Sequence, residues 1–594
     1  MRRKREWIML LPIGNASKER TVIRASGYTN GDDIFLAWLL PRTPDCWGVS
    51  LWREVKRPSG KVSSGFVENR VGFAVDKPTP HSHRPSNEWP FQRYTWTDHG
   101  VDEGDRVTYT ITPMLERPSG LRPDTGGAAT VGPLRVTSAG GSGSAAYFNR
   151  GVLLSQFMAK KLGPEFTSSD LKRLKESLSD DDSELRDFLR GQLGDRLVRL
   201  VDDAKATRSH VYAALYELED PELIQRLKSL GSRAHVVLSN GSKKKRNEDG
   251  NAEAAEELTG VVDLHRRMLW SEGLGHNKFL VVAKPKTNPL AVWTGSTNWA
   301  TTGLCTQLNN GLLVEDPGLA RIFLDQWKLL RDDRRTGPQG QDLHFGEKLM
   351  EQNDLPKSLP GNRRSVWFTR TSAGQDLEAV SELINGAKDA ILFLMFEPGA
   401  NGLLQVVQAR LSPASATYRE GLYVHGVVNT LKQKPAGTRD DVDVELVGRG
   451  SNRPFRLTVI EPQGATGLAG WADEVTRRDF LLSQGGAIGH AIIHSKIIVL
   501  DPFTKPVVIT GSHNYSQSAS SKNDENICIV AGDKRLAERY AVNIMSTYQH
   551  YRWRAYLQEC ARLGRSPWKG LVKSASWQRK QPEHDSELQF WVRT

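Results

Sequence analysis

Short segments in which apolar and polar positions alternate occupy the first part of the chain. They are DDIFLAWLL, WGVSLWREV, VGFAV, YTWTD and RVTYTITPML, separated by Pro and Gly clusters. Alternation of this kind is typical of strands that bury one face, and it predicts a small all-β sandwich over residues 1–136. The glycine- and serine-rich stretch that follows, residues 137–146, predicts a flexible linker.

From residue 147 onward, apolar residues at helical spacing alternate with short apolar runs, which is the pattern of α/β layers. The same order of helices and strands occurs twice, so the sequence predicts an α/β fold built from two related halves. The first half is assigned to residues 147–335 and the second to residues 366–560. Residues 336–365 are predicted to be a linker, and residues 561–594 a C-terminal tail.

The two halves share a motif whose residues are of types used in catalysis. GHNKFLVVAKPKTNPLAVWTGSTNWATTG in the first half aligns with IHSKIIVLDPFTKPVVITGSHNYSQSA in the second. Each has His-x-Lys on an apolar strand and Gly-Ser-x-Asn at the end of the next strand. Alternate residues of a strand share a face, so the histidine and lysine of each copy are predicted to project together. Imidazole, ammonium and amide groups suit phosphoryl transfer. The candidates are His276, Lys278 and Asn298 in the first copy, and His494, Lys496 and Asn514 in the second.

The duplicated pattern resembles the phospholipase D superfamily, whose signature is HxKxxxxDxxxxxxGSxN in two copies. The second copy includes Asp501 and Ser512, whereas the first has Ser296 but Ala283 in place of the aspartate. The resemblance implies two pseudo-two-fold-related halves that share one active site, a phosphohistidine intermediate, and no metal or cofactor. The N-terminal sandwich lies outside this resemblance and is similar to fibronectin or immunoglobulin domains.

An acidic element after the second motif predicts how the histidines differ. SKNDENICIV resembles the family's acidic segment, and its Glu525 aligns with Asn309 in the first half. The resemblance implies that Glu525 pairs with a site histidine, taken as His494. Because a carboxylate favours the imidazolium ion, His494 is predicted to be the general acid. His276, beside an amide, is predicted to be neutral and to attack phosphorus. The family implies the same two roles. Ala283 leaves open how active the first half is.

The charge of the chain bears on its substrate. A formal net charge of +11 favours a polyanionic partner. The lysine-rich stretches GSKKKRNEDG and TLKQKPAGTR are predicted either to line the rim of the cleft and contact a phosphate backbone or to be solvated loops. The sequence therefore predicts a metal-independent nuclease. The alternatives are a phospholipase D acting on anionic phospholipids, a catalytically degenerate phosphate- or partner-binding protein and, as a minor variant, a tyrosyl-DNA phosphodiesterase.

Two further features concern the cellular context. The four cysteines are scattered without zinc-ligand spacing, which predicts a reducing, cytoplasmic location. The chain has no run of about 20 apolar residues, so no transmembrane segment is predicted. The partner of the β-sandwich and the oligomeric state stay open.

Overall fold

The fold is described from a computed structural model. It covers residues 22–78, 82–151, 176–242, 248–269, 273–333, 335–336, 342–343, 347–359, 361, 363–396, 398, 402–428, 458–460, 493–562, 564, 570–583 and 585–593. The order of its elements is an all-β region followed by two α/β halves, which confirms the predicted fold class.

The N-terminal region is a sandwich of a three-stranded sheet, β1-β2-β7, on a second sheet of order β10-β8-β3-β4, in which β9 also pairs with β8. Inward residues such as Trp38, Leu51 and Tyr109 form its core. The predicted strand VGFAV is wrong, because Ala74–Asp76 is a 3₁₀ turn. The strands are β1 (Arg24–Thr29), β2 (Ile34–Leu39), β3 (Cys46–Lys56), β4 (Val62–Phe66), β5 (Glu68–Asn69), β6 (Arg84–Pro85), β7 (Thr95–Asp98), β8 (Arg106–Arg117), β9 (Gly120–Pro123) and β10 (Ala129–Arg135).

The first half is a seven-stranded sheet of order β11-β17-β16-β15-β12-β13-β14. The neighbours β12, β13 and β14 run parallel, and the other pairs are antiparallel. Its elements are β11 (Ser144–Phe148), α1 (Glu184–Ala206), β12 (His210–Leu215), α2 (Pro221–Leu230), β13 (Ala234–Ser239), α3 (Ala252–Leu258), β14 (Asp263–Arg267), β15 (Lys278–Ala283), β16 (Pro289–Gly295), α4 (Thr301–Cys305), β17 (Asn310–Val314) and α5 (Pro317–Asp332).

The second half repeats this order as β21-β27-β26-β25-β22-β23-β24, with β20 added at one edge. Short connecting elements come first: β18 (Arg335–Thr336), β19 (Asp342–Leu343), α6 (Glu347–Asn353) and β20 (Lys357–Ser358). The half itself comprises β21 (Arg364–Phe368), α7 (Gln375–Gly386), β22 (Ala390–Met395), α8 (Leu403–Ala409), β23 (Tyr423–Val428), β24 (Thr458–Ile460), β25 (Ile497–Leu500), β26 (Val507–Gly511), α9 (Gln517–Lys522), β27 (Asn526–Ala531), α10 (Lys534–Arg562) and, near the C-terminus, α11 (Asp585–Trp591).

The two sheets share one central core. Phe279 on β15 and Ile497 on β25 belong to the same buried cluster, together with Phe323 on α5 and Tyr540 on α10. Each sheet also buries its other face under its own helices, α1 to α3 in the first half and α7 and α8 in the second. Because the inner faces of both sheets join one core, the matching ends of the sheets are held against each other.

Two predicted boundaries need correction. The predicted linker, residues 137–146, ends inside β11, whose residues Ser144–Phe148 pair with β17 at the edge of the first sheet. The described part of the predicted tail, residues 561–594, is folded: Trp591 is fully buried, and its Nε1 donates to the Tyr423 hydroxyl at 2.9 Å. Trp577 Nε1 donates to the Cys46 carbonyl of the sandwich at 2.9 Å. Composition alone underestimates order at both places because their partners are distant in the chain.

Within the described ranges, no helix has the length and apolar character needed to cross a membrane.

Candidate active site

Two equivalent hairpins carry the duplicated motif. β15 pairs with β16 in the first half, and β25 pairs with β26 in the second. Each second strand ends in a glycine with a positive φ, Gly295 at 152° and Gly511 at 154°. A Cβ there would lie 2.3 Å from the Asn310 carbonyl oxygen or 2.2 Å from that of Asn526. Glycine is therefore required for each hairpin to lie close to its neighbouring strand.

The hairpins meet across the boundary between the halves. The backbone N–H of His276 donates to the Asp524 carbonyl at 3.0 Å, and that of His494 donates to the Leu308 carbonyl, also at 3.0 Å. Both histidines, and the lysines two residues after them, are buried. The structure thus brings the two half-sites together with pseudo-two-fold symmetry.

The histidines exchange side-chain partners between the halves. His276 Nδ1 lies 2.8 Å from Glu525 Oε2, and His494 Nδ1 lies 2.9 Å from Asn309 Oδ1. The predicted pairing of Glu525 with His494 is therefore wrong. The cause is that Asn309 and Glu525, which directly precede β17 and β27, each contact the histidine of the opposite half.

Burial and nearby charges favour the neutral form of both imidazoles. Burial lowers the pKa of His276 to about 4 against the opposing effect of Glu525. Burial and the charges of Lys496 and Lys278 hold the pKa of His494 well below its usual range. Burial opposes ionisation of Glu525, but His276 and Lys278 together keep the pKa of that carboxyl below its ordinary value. His276 is thus a neutral ring whose Nδ1–H donates to an ionised carboxylate.

An aromatic ring accompanies each histidine and lysine. Tyr216 lies edge-on to His276 with ring centroids 4.7 Å apart, and Phe396 lies edge-on to His494 at 4.9 Å. Lys278 Nζ is 5.0 Å from the centre of the Tyr216 ring and donates to the His276 carbonyl at 2.7 Å. Each ring directly follows a buried strand, β12 or β22. The sequence analysis missed both rings. They could have been found because an aromatic residue occurs at the same position after the corresponding strand in each half.

The second lysine has the same surroundings. Lys496 Nζ donates to the His494 carbonyl at 2.5 Å and lies 4.8 Å from the centre of the Phe396 ring. Burial lowers the pKa of the other lysine, Lys278, to about 7. A lysine with this pKa gains charge when an anion binds, so it suits a phosphate site.

The motif asparagines differ between the halves. Asn298 Nδ2 donates to a carboxylate that the sequence analysis did not single out, Glu217 Oε2, at 2.5 Å. Asn514 Nδ2 has no hydrogen bond to any residue within the described ranges, and its Oδ1 is buried without a partner. Asn514 Nδ2 therefore has both N–H groups available to a ligand, whereas Asn298 Nδ2 uses one of its two on Glu217.

The motif serines support the neighbouring strands. Ser296 Oγ donates to Asn309 Oδ1 at 2.7 Å and accepts from the Asn310 N–H at 3.0 Å. Ser512 Oγ accepts from the Asn526 N–H at 3.0 Å. These hydroxyls hold the strands that carry the histidine partners.

Threonines next to the motif glycines tie the halves together. Thr294 Oγ1 donates to Asn526 Oδ1 at 2.7 Å, and Asn310 Nδ2 donates to Thr510 Oγ1 at 2.8 Å. All four residues are fully buried. Asn526 follows Glu525, and Asn310 follows Asn309. These two bonds therefore hold Glu525 and Asn309 in position against the histidines of the opposite half.

The motif aspartate has a structural role far from the histidines. Asp501 lies just beyond β25, at the end opposite His494. Its carboxylate accepts from the N–H groups of Lys388, Asp389 and Ala390 at 2.7 to 3.1 Å, in the turn that starts β22.

The first half satisfies the equivalent turn without a carboxylate. Ala283 pairs with His210 at the start of β12. There the N–H groups of Arg208 and Ser209 donate to the Lys205 and Ala204 carbonyls of α1. The absence of an aspartate at Ala283 thus leaves neither N–H unpaired, and it does not touch the residues around the histidines.

Replacing Asp501 with Ala is expected to lower the free energy of unfolding by about 3 kcal/mol, because three N–H groups, that of Ala390 buried, lose a charged acceptor. Urea unfolding measures the loss. Activity per folded molecule should stay close to wild type, since the aspartate lies at the far end of the hairpin. Ala283→Asp is the matched variant, and it should also destabilise because its carboxylate finds no free donor. A gain in stability from Ala283→Asp would contradict this account.

Further histidines and tryptophans near the motifs lie away from the site or outside the described residues. His265 Nε2 lies 3.0 Å from Asp263 Oδ1. Trp293 and Trp299 are buried in the core under the helices of the first half. Half of GSKKKRNEDG, the whole of TLKQKPAGTR, His490 and Trp270 lie outside the described residues.

Comparison with known proteins gives a family match over the second motif. Residues 430–547 match the family described as "Cardiolipin synthase, PLD-like domain". A curated protein described as "Phospholipase D", from Rickettsia prowazekii (strain Madrid E), is 44% identical over 55 residues, which is 9% of this chain and 25% of that protein. The match therefore spans a quarter of the relative's length.

Two solved structures are similar at low identity. Phosphatidylserine synthase from Haemophilus influenzae Rd KW20 is 13% identical, with 63% of this chain and 92% of that chain covered and a TM-score of 0.35. Nuc from Salmonella typhimurium, described as a phospholipase D family member, is 17% identical, with 32% and 95% covered and a TM-score of 0.20. At these TM-scores neither likeness bears on function.

The family match, the curated relative and the duplicated motif agree with one another. The chain belongs to the phospholipase D superfamily.

Proposed function

We propose that the chain is a metal-independent phosphodiesterase that cleaves nucleic acid through a phosphohistidine intermediate. One observation carries the proposal: two His-x-Lys hairpins meet, and each imidazole is anchored through Nδ1 to the opposite half. Anchoring at Nδ1 directs Nε2 of each ring to the reaction. Two neutral imidazoles and two buried lysines at one interface suit a two-step displacement at phosphorus.

His276 is the proposed nucleophile. Its Nδ1–H donates to an ionised Glu525, so Nε2 carries the lone pair that attacks phosphorus. The ring becomes positively charged when the N–P bond forms, and the carboxylate stabilises that charge. His276 is also the nucleophile predicted from the sequence, but for a different reason. The sequence pattern predicts this role because no carboxylate is expected beside the ring, whereas the present proposal depends on its contact with Glu525.

His494 is the proposed general acid and base. A bound phosphate anion favours a proton on Nε2 of His494, and with only an amide oxygen at Nδ1 the ring gives that proton to the leaving oxygen. Nε2 then accepts a proton from the water that hydrolyses the phosphohistidine. The proposed phosphate ligands are Lys278, Lys496, Asn298 and Asn514, which are the cationic and amide donors of the two motifs.

Nucleic acid is the proposed substrate because the chain has a net charge of +11. Phospholipid is the second candidate, and the descriptions of the matched family and of the curated relative favour it. The degenerate-binder alternative loses support, because its main argument was Ala283 and that residue lies away from the histidines.

The test is a parallel assay of the full chain in EDTA on single-stranded DNA, double-stranded DNA, RNA and mixed phosphatidyl lipid vesicles. We expect cleavage of nucleic acid that His276→Ala and His494→Ala both abolish. Release of a lipid head group without nucleic acid cleavage would reassign the substrate. Activity that needs an added divalent metal ion would overturn the proposed chemistry.

A further inference from the structure

A carboxylate lies in contact with one of the proposed phosphate ligands. Glu217 is the second residue after the end of β12, next to Tyr216, and it is half-buried. Its Oε2 accepts from Asn298 Nδ2 at 2.5 Å, and its Oε1 accepts from the Ser242 hydroxyl. Glu217 is also close enough to Lys278 that its charge raises the pKa of that lysine against the effect of burial. The first half-site therefore holds an anion in addition to Glu525.

This carboxylate constrains what can bind beside it. The two N–H bonds of an amide diverge, so a phosphate oxygen that accepts from the second N–H of Asn298 would lie about 5 Å from Glu217 Oε2. Two anionic oxygens at that spacing repel each other in a half-buried site. A proton donor on the substrate, placed next to the phosphate, removes the repulsion by donating to the carboxylate.

The second half-site differs among the described residues. Asn514 Nδ2 has no carboxylate partner there, and this half-site also contains Lys496 over the Phe396 ring. The residue aligned with Glu217 is also a glutamate, Glu397, and it lies outside the described residues. Within the described ranges, the contact of a carboxylate with a motif asparagine is therefore that of Glu217 with Asn298 alone.

We propose that Glu217 is a specificity-determining residue that selects a diester with a hydroxyl group next to the scissile phosphate. This inference rests on the proposed nuclease function, within which the hydroxyl is the ribose 2′-hydroxyl and the substrate is single-stranded RNA. The 2′-hydroxyl sits on the carbon next to the one that bears the 3′ phosphate ester, so it is the donor nearest the phosphate. It donates to Glu217 and is not consumed.

The test compares single-stranded RNA, DNA of the same sequence and the fully 2′-O-methylated RNA, each with wild type and Glu217→Gln. Wild type is expected to cleave RNA with a kcat/KM about 10- to 100-fold above the other two, the range of a charge-assisted hydrogen bond. Glu217→Gln should lower kcat/KM for RNA and raise it for DNA, so that the preference falls at least about tenfold. Glu219→Gln is the matched control, since it removes an exposed carboxylate two residues away, and it should leave the preference unchanged.

Two results overturn the inference while leaving the proposed function intact. One is equal cleavage of RNA, DNA and methylated RNA by wild type. The other is an equal change for all three substrates in Glu217→Gln. Failure of the nuclease proposal itself is detected with bis(4-nitrophenyl) phosphate, a diester without hydroxyl groups. If wild type cleaves it in a His276-dependent manner but cleaves no nucleic acid, the nuclease proposal fails and the inference falls with it.

Discussion

His494→Ala should release one equivalent of 4-nitrophenol per enzyme from bis(4-nitrophenyl) phosphate and then nearly stop. This leaving group departs without a proton, so the first step needs His276 but not a general acid. The second step needs a base to activate water, and that base is missing in the variant. Steady-state turnover is expected to fall about 10³-fold. Stopped-flow absorbance of 4-nitrophenolate measures the burst.

The covalent intermediate can be located directly. In the His494→Ala enzyme a 4-nitrophenyl phosphoryl group should remain on the peptide that contains His276, attached through an acid-labile N–P bond. His276→Ala should give neither a burst nor a label, although it keeps His494. A label on His494 in the His276→Ala enzyme would reverse the proposed roles. A folded His494→Ala enzyme that cleaves the substrate without any label would argue for direct attack by water.

Local patterns in the sequence are sufficient to predict the hairpins of the site. His-x-Lys places two side chains on one face of a strand, and Gly-Ser-x-Asn marks the end of the next strand. Both features depend on residues within about 25 positions of each other, which is why β15, β16, β25 and β26 agree with the sequence. The duplication predicts the repeated sheet order for the same reason.

The crossed histidine partners could not be predicted in this way. Glu525 is 31 positions after His494 and 249 positions after His276, yet it bonds to His276. The pairing depends on how the two halves dock, which is set by the shared core and by the bonds of Thr294 and Thr510 to the opposite half. None of these contacts can be recognised from the spacing of neighbouring residues in the sequence.

Similar long-range contacts explain the errors in the N-terminal domain and at its border. Phe73, inside the wrongly predicted strand, packs with Trp89 and with Leu571 from the C-terminal segment. Ser144–Phe148 forms a strand because β17 offers a free sheet edge. Glu217 was missed because its partner, Asn298, is 81 positions away. In each case the deciding partner is distant in the chain.

Glu525→Gln should shift the pH dependence of kcat/KM, because the carboxylate raises the pKa of both His276 and Lys278. With bis(4-nitrophenyl) phosphate, whose first step needs no general acid, wild-type kcat/KM should rise as His276 loses its proton at about pH 4 and fall as Lys278 loses its own at about pH 7. Without the carboxylate both pKa values decrease, so both limbs move to lower pH. At pH 7 fewer molecules hold a charged Lys278, and kcat/KM is expected to fall about 10²-fold.

The crossed pairing is tested most sharply by adding Glu525→Gln to the His494→Ala enzyme. His494 is absent there, so any effect of Glu525 on the burst must act without it. We expect the burst to slow about 10²-fold, because the positive charge that forms on His276 loses its partner. Asn309→Ala in the same background is the matched control, since Asn309 contacts the missing ring, and it should leave the burst rate close to that of His494→Ala. An unchanged burst in the Glu525→Gln double variant would mean that the carboxylate does not act on the nucleophile, and the proposed role of His276 would lose its physical basis.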